Sequence, residues 1–142
     1  MIILSIVYVA LPKKQVFEPA IPNIVSASQD IIIKEISLDN ELKLCITHPT
    51  NDNCNEEKVP VKKVGDIIEK NQPIGFDYAF NICSNPICTC TKSDPGCKKP
   101  SGIEELPSGT NVYMSDVFVS SVTPDYESTH KIVRFWMWKS TV

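Results

Sequence analysis

Apolar residues along this chain fall into short runs separated by turn-forming positions, and no run carries the sustained 3.6-residue period of a long amphipathic helix. Seven runs have the β-branched and aromatic make-up of strands: Ile2–Ala10, Ile31–Leu38, Leu42–Ile46, Lys58–Val64, Gly75–Asn81, Asn111–Val122 and Lys131–Lys139. Eleven prolines interrupt most windows long enough for a helix. Only Asp66–Lys70 reads as a helical turn, bracketed by Gly65 and Pro73.

Two runs alternate with period two. Phe76, Tyr78 and Phe80 share one face of the first, and Val133, Phe135 and Met137 share one face of the last. The opposite face of the last run carries Ile132, Arg134, Trp136 and Trp138, and the arginine marks that face as partly wet. Short strands at regular spacing predict an all-β fold, a two-layer antiparallel β-sandwich, with residues 1–142 as a single domain. The two aromatic faces then form either an ordinary packed core or the wall of an apolar cavity; periodicity is the same for both.

Between the strands lie polar loops. Thr47–Glu57 carries Cys54, and residues 84–109 form the longest irregular stretch, with Pro86, Pro95, Pro100 and Pro107. Six cysteines, Cys45, Cys54, Cys83, Cys88, Cys90 and Cys97, sit in or beside these loops. An even number at such density reads as three disulfides and a secreted or lumenal setting. Four thiols between Cys83 and Cys97 lack the Cys-x-x-Cys knuckles that zinc needs, so no metal or other cofactor is expected.

Charge narrows the partners. The net charge is −3, and Arg134 is the single arginine among fourteen basic residues, which argues against nucleic acid. Met1–Leu11 is apolar but too short to span a bilayer. It reads as a first strand or as a remnant signal segment, although cleavage after Ala10 would place bulky Tyr8 at the −3 position. The histidines are His48, three residues after Cys45, and His130. No nucleophile elbow, zinc-binding His-Glu-x-x-His or phosphate loop is present, so no catalytic residue is expected and the chain does not read as an enzyme.

Ile32-Ile33-Lys34-Glu35-Ile36-Ser37-Leu38, followed by Cys45 and Cys54, resembles the opening of ML lipid-recognition domains, a family that distantly includes the ganglioside activator. Glu69–Phe80 is similar to a later strand of that family, and Asp94-Pro95-Gly96-Cys97 to its Pro-Asp-Gly-Cys loop. Gly109–Tyr113, Val117–Val119, Tyr126 and Ile132–Trp136 resemble its last long strands. The family's first and last cysteines have no counterpart here. The resemblance implies an immunoglobulin-like sandwich that holds a lipid or sterol between its sheets. It also implies a Cys45–Cys54 pair and a cavity wall of Phe76, Tyr78, Phe80, Val117, Val119, Val133, Phe135 and Met137. How Cys83, Cys88, Cys90 and Cys97 pair stays open.

A shorter resemblance concerns Cys90-Thr91-Lys92-Ser93-Asp94-Pro95-Gly96-Cys97, which looks like the reactive loop of Bowman–Birk protease inhibitors, one residue short. It implies Lys92 as the residue that enters a trypsin-like pocket. Three functions therefore stand as expectations: a secreted lipid-binding module, a structural or interaction domain with a protein partner and no ligand, and a serine-protease inhibitor.

Overall fold

A computed structural model describes residues 21–49, 54, 58–94, 96–100, 103–122 and 128–141. Three helices come first: α1 (Asn23–Leu38), α2 (Asn40–Thr47) and α3 (Lys58–Asn71). Three strands follow: β1 (Phe76–Cys83), β2 (Val112–Val122) and β3 (Ser128–Lys139). They form one antiparallel sheet in the order β1-β3-β2.

The three strand expectations at 75–81, 111–122 and 131–139 are met by β1, β2 and β3. The segments Ile31–Leu38, Leu42–Ile46 and Lys58–Val64 are helical instead. The fold is thus α+β rather than all-β, and among the described residues the layer packed on the sheet is made of helices, not of a second sheet. The run Ile2–Ala10 lies outside the described residues.

The physical reason is visible in α1. Its buried stripe is Val25, Ser28, Gln29, Ile32 and Ile36, a helical i, i+3, i+4, i+7, i+11 spacing. Two polar residues occupy that stripe, so an apolar count along the sequence sees only the β-branched cluster Ile31–Ile33. Burial against the sheet then outweighs the weak helix propensity of isoleucine, about half a kcal/mol per residue.

Asp39 leaves the helical region (φ −85°, ψ 96°) and ends α1. Its carboxylate accepts the Leu42 N–H at 2.9 Å and so starts α2. In α3, Pro60 occupies the first turn, where its missing N–H has no intrahelical carbonyl to seek. Gly65, read from sequence as a bracket, lies inside α3. A Cβ there would meet the Phe80 ring at 3.5 Å, an ordinary van der Waals distance, so this position lies on the face of α3 that packs against the sheet. The chain leaves α3 through Pro73 and Gly75 (φ 82°) into β1, and Gly75 C=O accepts the Ser140 N–H at 2.8 Å.

The helix-facing side of the sheet carries Phe80, Val117, Val119, Val133, Phe135 and Met137. They pack with Val25, Ile32, Ile36, Leu42, Ile46, Val64 and Ile68 in one buried cluster. Burying each such side chain stabilises the fold by roughly 1.5–3 kcal/mol. The other side of the sheet carries a second cluster, Ala79, Trp136 and Trp138 with Cys90, Cys97, Ile103, Leu106 and Val112. The face marked as partly wet therefore buries both tryptophans, under the 84–109 loop.

That loop is tied down at several points. Disulfides join Cys83–Cys88 and Cys90–Cys97, and Cys45–Cys54 closes the α2–α3 connection. All three are local and brace loops rather than crossing the core. Asn81, 5 % exposed, donates from Nδ2 to Thr89 O at 2.9 Å and to Asp94 Oδ2 at 3.1 Å. Phe80 and Lys98 exchange two backbone bonds, of 2.8 and 2.9 Å, along the outer edge of β1. No described helix is long and apolar enough to cross a membrane.

Candidate functional site

A concavity lies where α2 and the start of α3 meet β1. It encloses about 810 Å³, within the range of small-molecule sites. Its apolar lining comes from Ile46 and Pro49 at the end of α2, Pro60 and Val61 at the start of α3, and Phe80 and Ile82 on β1. Cys45 contributes to the same wall. Each side chain is placed by its element. The even-numbered residues of β1 face the helices, so Phe80 and Ile82 point to the same side, while the Pro60 turn sets Val61 above them.

Three lysines, Lys62 from α3, Lys98 beside β1 and Lys131 from β3, also line this groove. Among the described residues none of the three is ion-paired, because the described ion pairs involve Lys70, Lys92 and Arg134. Lys131 Nζ donates to Ser84 Oγ at 2.5 Å. An apolar trough bordered by three cations suits a molecule with a hydrocarbon body and an anionic head.

The eight residues expected as a cavity wall come together on the helix side of the sheet. Phe80, Val117, Val119, Val133, Phe135 and Met137 are buried in the main cluster, and Phe76 and Tyr78 pack against it. Of the eight, only Phe80 lines the groove. Tyr78 and Phe80 stack with centroids 6.4 Å apart. Desolvation raises the Tyr78 phenol above its ordinary pKa, with smaller contributions from the Glu69 and Asp66 charges.

The groove residues Ile46, Val61, Lys62, Ile82, Lys98 and Lys131 were not singled out from sequence. Two of the contributing segments were read as strands, which would have sent alternate residues to opposite faces. The signal available was Val61, Val64 and Ile68 at helical spacing after Pro60.

A polar cluster sits nearby, where α2 ends against the β2–β3 pair. His48 Nδ1 lies 2.9 Å from Thr47 Oγ1 and 3.1 Å from Ser121 Oγ, and Nε2 lies 3.2 Å from Thr129 Oγ1. Thr47 and Ser121 are also hydrogen-bonded to each other. Hydroxyls, which both donate and accept, satisfy either imidazole tautomer. The cluster links α2 to both strands.

All six cysteines are in disulfides, so no thiolate is available as a metal ligand or nucleophile. Among the described residues no group of three or more His, Cys, Asp or Glu side chains converges on a metal-sized site. Lys92 is exposed at a turn closed by Asp94 N–H donating to Thr91 O at 3.2 Å, and its ammonium pairs with Glu104.

No family model, curated protein or solved structure matches this chain.

Proposed function

We propose that this protein binds a long-chain apolar ligand with an anionic head group, a fatty acid or similar lipid, and does so as a secreted or lumenal carrier. The observation that carries this reading is the groove between α2, α3 and β1, with its apolar lining and its three lysines. Burial of a hydrocarbon chain drives binding at roughly 25 cal/mol per Å². The ammonium groups of Lys62, Lys98 and Lys131 offset the cost of bringing a carboxylate to the groove. The ligand class is the one implied by the lipid-recognition resemblance. The compartment differs: it lies between helices and a sheet edge instead of between two sheets. Three disulfides fit an oxidising environment.

The test is organic extraction of the purified protein combined with uptake of a fluorescent long-chain fatty acid. Wild-type protein should take up the probe, and Ile82→Asp should weaken uptake at least about tenfold by placing a charge on the apolar wall. Lys131→Met should weaken binding of the acid more than binding of the matching alcohol. Wild-type protein that carries no lipid and takes up no probe would overturn the proposal.

A further inference from the structure

The two edges of the sheet are treated differently. The outer edge of β1 is short and partly closed by the paired Lys98, with the disulfide-braced loop beside it. The outer edge of β2 is eleven residues long, and no described residue pairs with it. Every second residue of β2 therefore turns its N–H and C=O toward an open edge.

Natural edge strands avoid self-pairing with prolines, lysines, bulges or inward charges. From Val112 to Val122 there is no proline, no lysine and no glycine, and the pairing with β3 runs unbroken through all eleven positions. The single charge, Asp116, is held by Arg134 of the same sheet through a bidentate pair. Nothing in β2 repels a second strand.

The exposed residues on its outer face have a definite symmetry. Met114 is 50 % exposed, Phe118 77 % and Val122 64 %. They stand four residues apart on one side of the strand, so Phe118 is equidistant from the other two.

We propose that β2 pairs antiparallel with β2 of a second copy of this chain, about a two-fold axis at Phe118. In that register Phe118 faces its own copy, Met114 faces the partner's Val122 and Val122 faces the partner's Met114. All three exposed apolar positions meet an apolar residue. Asp116 faces the partner's Ser120, so no like charges are opposed. On the helix side Val117 faces the partner's Val119, which continues the core across the junction. A register centred at Asp116 would set two carboxylates against each other, and one shifted by a single residue would set the outer face of one β2 against the helix-side face of the other, dividing the core between opposite sides of the joined sheet. The pairing is isologous, joins two three-stranded sheets into one of six, and closes both edges at once.

Two measurements on the full chain test this. Sedimentation equilibrium should give a concentration-dependent mass rising to twice the 15.9 kDa of the chain. Phe118→Lys, which sets two ammonium groups against each other at the axis, should raise the dimer dissociation constant at least about a hundredfold and leave fatty-acid uptake as in wild type. Independently, Phe118→Cys should give a disulfide-linked dimer under mild oxidation. Met114→Cys or Val122→Cys alone should not, but an equimolar mixture of those two should cross-link as a heterodimer. A wild-type protein monomeric at every concentration overturns the proposal. So does a dimer unaffected by Phe118→Lys, or cross-linking by Met114→Cys alone as efficient as by Phe118→Cys; any of these means that something else, including residues 1–20 of the same chain, covers this edge.

Discussion

Arg134 on β3 and Asp116 on β2 stand directly opposite each other in the sheet, joined by Nε–Oδ1 at 2.6 Å and a second N–H···O bond of 2.7 Å. The same guanidinium donates a third bond to Cys88 O at 3.0 Å. One side chain thus fixes two strands and the disulfide loop above them. It also explains how the face that buries Trp136 and Trp138 tolerates a charge. The hydrogen bond to Asp116 holds the arginine's proton even more tightly than usual.

Replacing Arg134 should loosen the loop more than the sheet. Arg134→Ala is expected to cost about 2 kcal/mol in urea unfolding, since charge-assisted bonds are lost while Asp116 retains some access to water. Arg134→Lys should recover less than half, because an ammonium cannot span Asp116 and Cys88 O together. Limited proteolysis within residues 84–109 should accelerate in both variants.

Gly96 should tolerate no side chain. A Cβ there would lie 2.8 Å from Asn81 Oδ1, and that amide is held in place by its bonds to Thr89 O and Asp94. Gly96→Ala is expected to destabilise by about 1–3 kcal/mol, measured by chemical unfolding. Gly96 also lines the groove, so ligand uptake should fall in parallel.

Gln29 should be replaceable at no cost. Its side chain is buried in the α1 interface, and among the described residues Nε2 has no partner. An unpaired buried donor costs about 1–3 kcal/mol. Gln29→Leu is therefore expected to leave stability unchanged or to raise it. A loss above about 1 kcal/mol would show that the amide is bonded in solution.

Stability should fall at high pH through Tyr78. Its folded pKa is raised from the ordinary value near 10, chiefly by desolvation. The unfolded chain loses this proton first, so above pH 10 the unfolded state binds fewer protons and stability decreases with pH. The contribution is complete below pH 10 and disappears as pH rises through the folded pKa. Tyr78→Phe removes the group, and its stability relative to wild type should improve steadily across that window when urea midpoints are compared.

Opening the Cys90–Cys97 disulfide should release the loop locally. Its sequence separation is seven, and closing a loop of that size contributes about 2.5 kcal/mol. A Cys90→Ala/Cys97→Ala double variant should keep the sheet's circular dichroism. The fluorescence of Trp136 and Trp138, which pack against these sulfurs, should shift to the red.

Where each part of the chain became legible follows its contacts. The alternation at Phe76–Phe80 and Val133–Met137 reports a strand with one buried face, and both strands are present with those residues facing the helices. Cysteine spacing brought out a loop brace, and Cys45–Cys54 pairs as the lipid-recognition resemblance implied. The helices were hidden. In α1 the polar Ser28 and Gln29 occupy the buried stripe, and in α3 Pro60 and Gly65 imitate loop punctuation while serving a helix start and a helix–sheet contact.

The sequence by itself determined what depends on neighbours within a few residues: three strand segments, two of them with clear alternation, the disulfide-tied loops and a net charge of −3. Tertiary structure decided the rest. Whether Ile31–Leu38 coils or extends depends on a sheet built from segments between Phe76 and Lys139, far along the chain, that buries one helical stripe. The groove exists only because α2, α3 and β1 meet, and its lysines come from three separate segments. Local preferences differ by about half a kcal/mol per residue, whereas burial of a single large side chain is worth several times that, so long-range packing prevailed wherever the two disagreed.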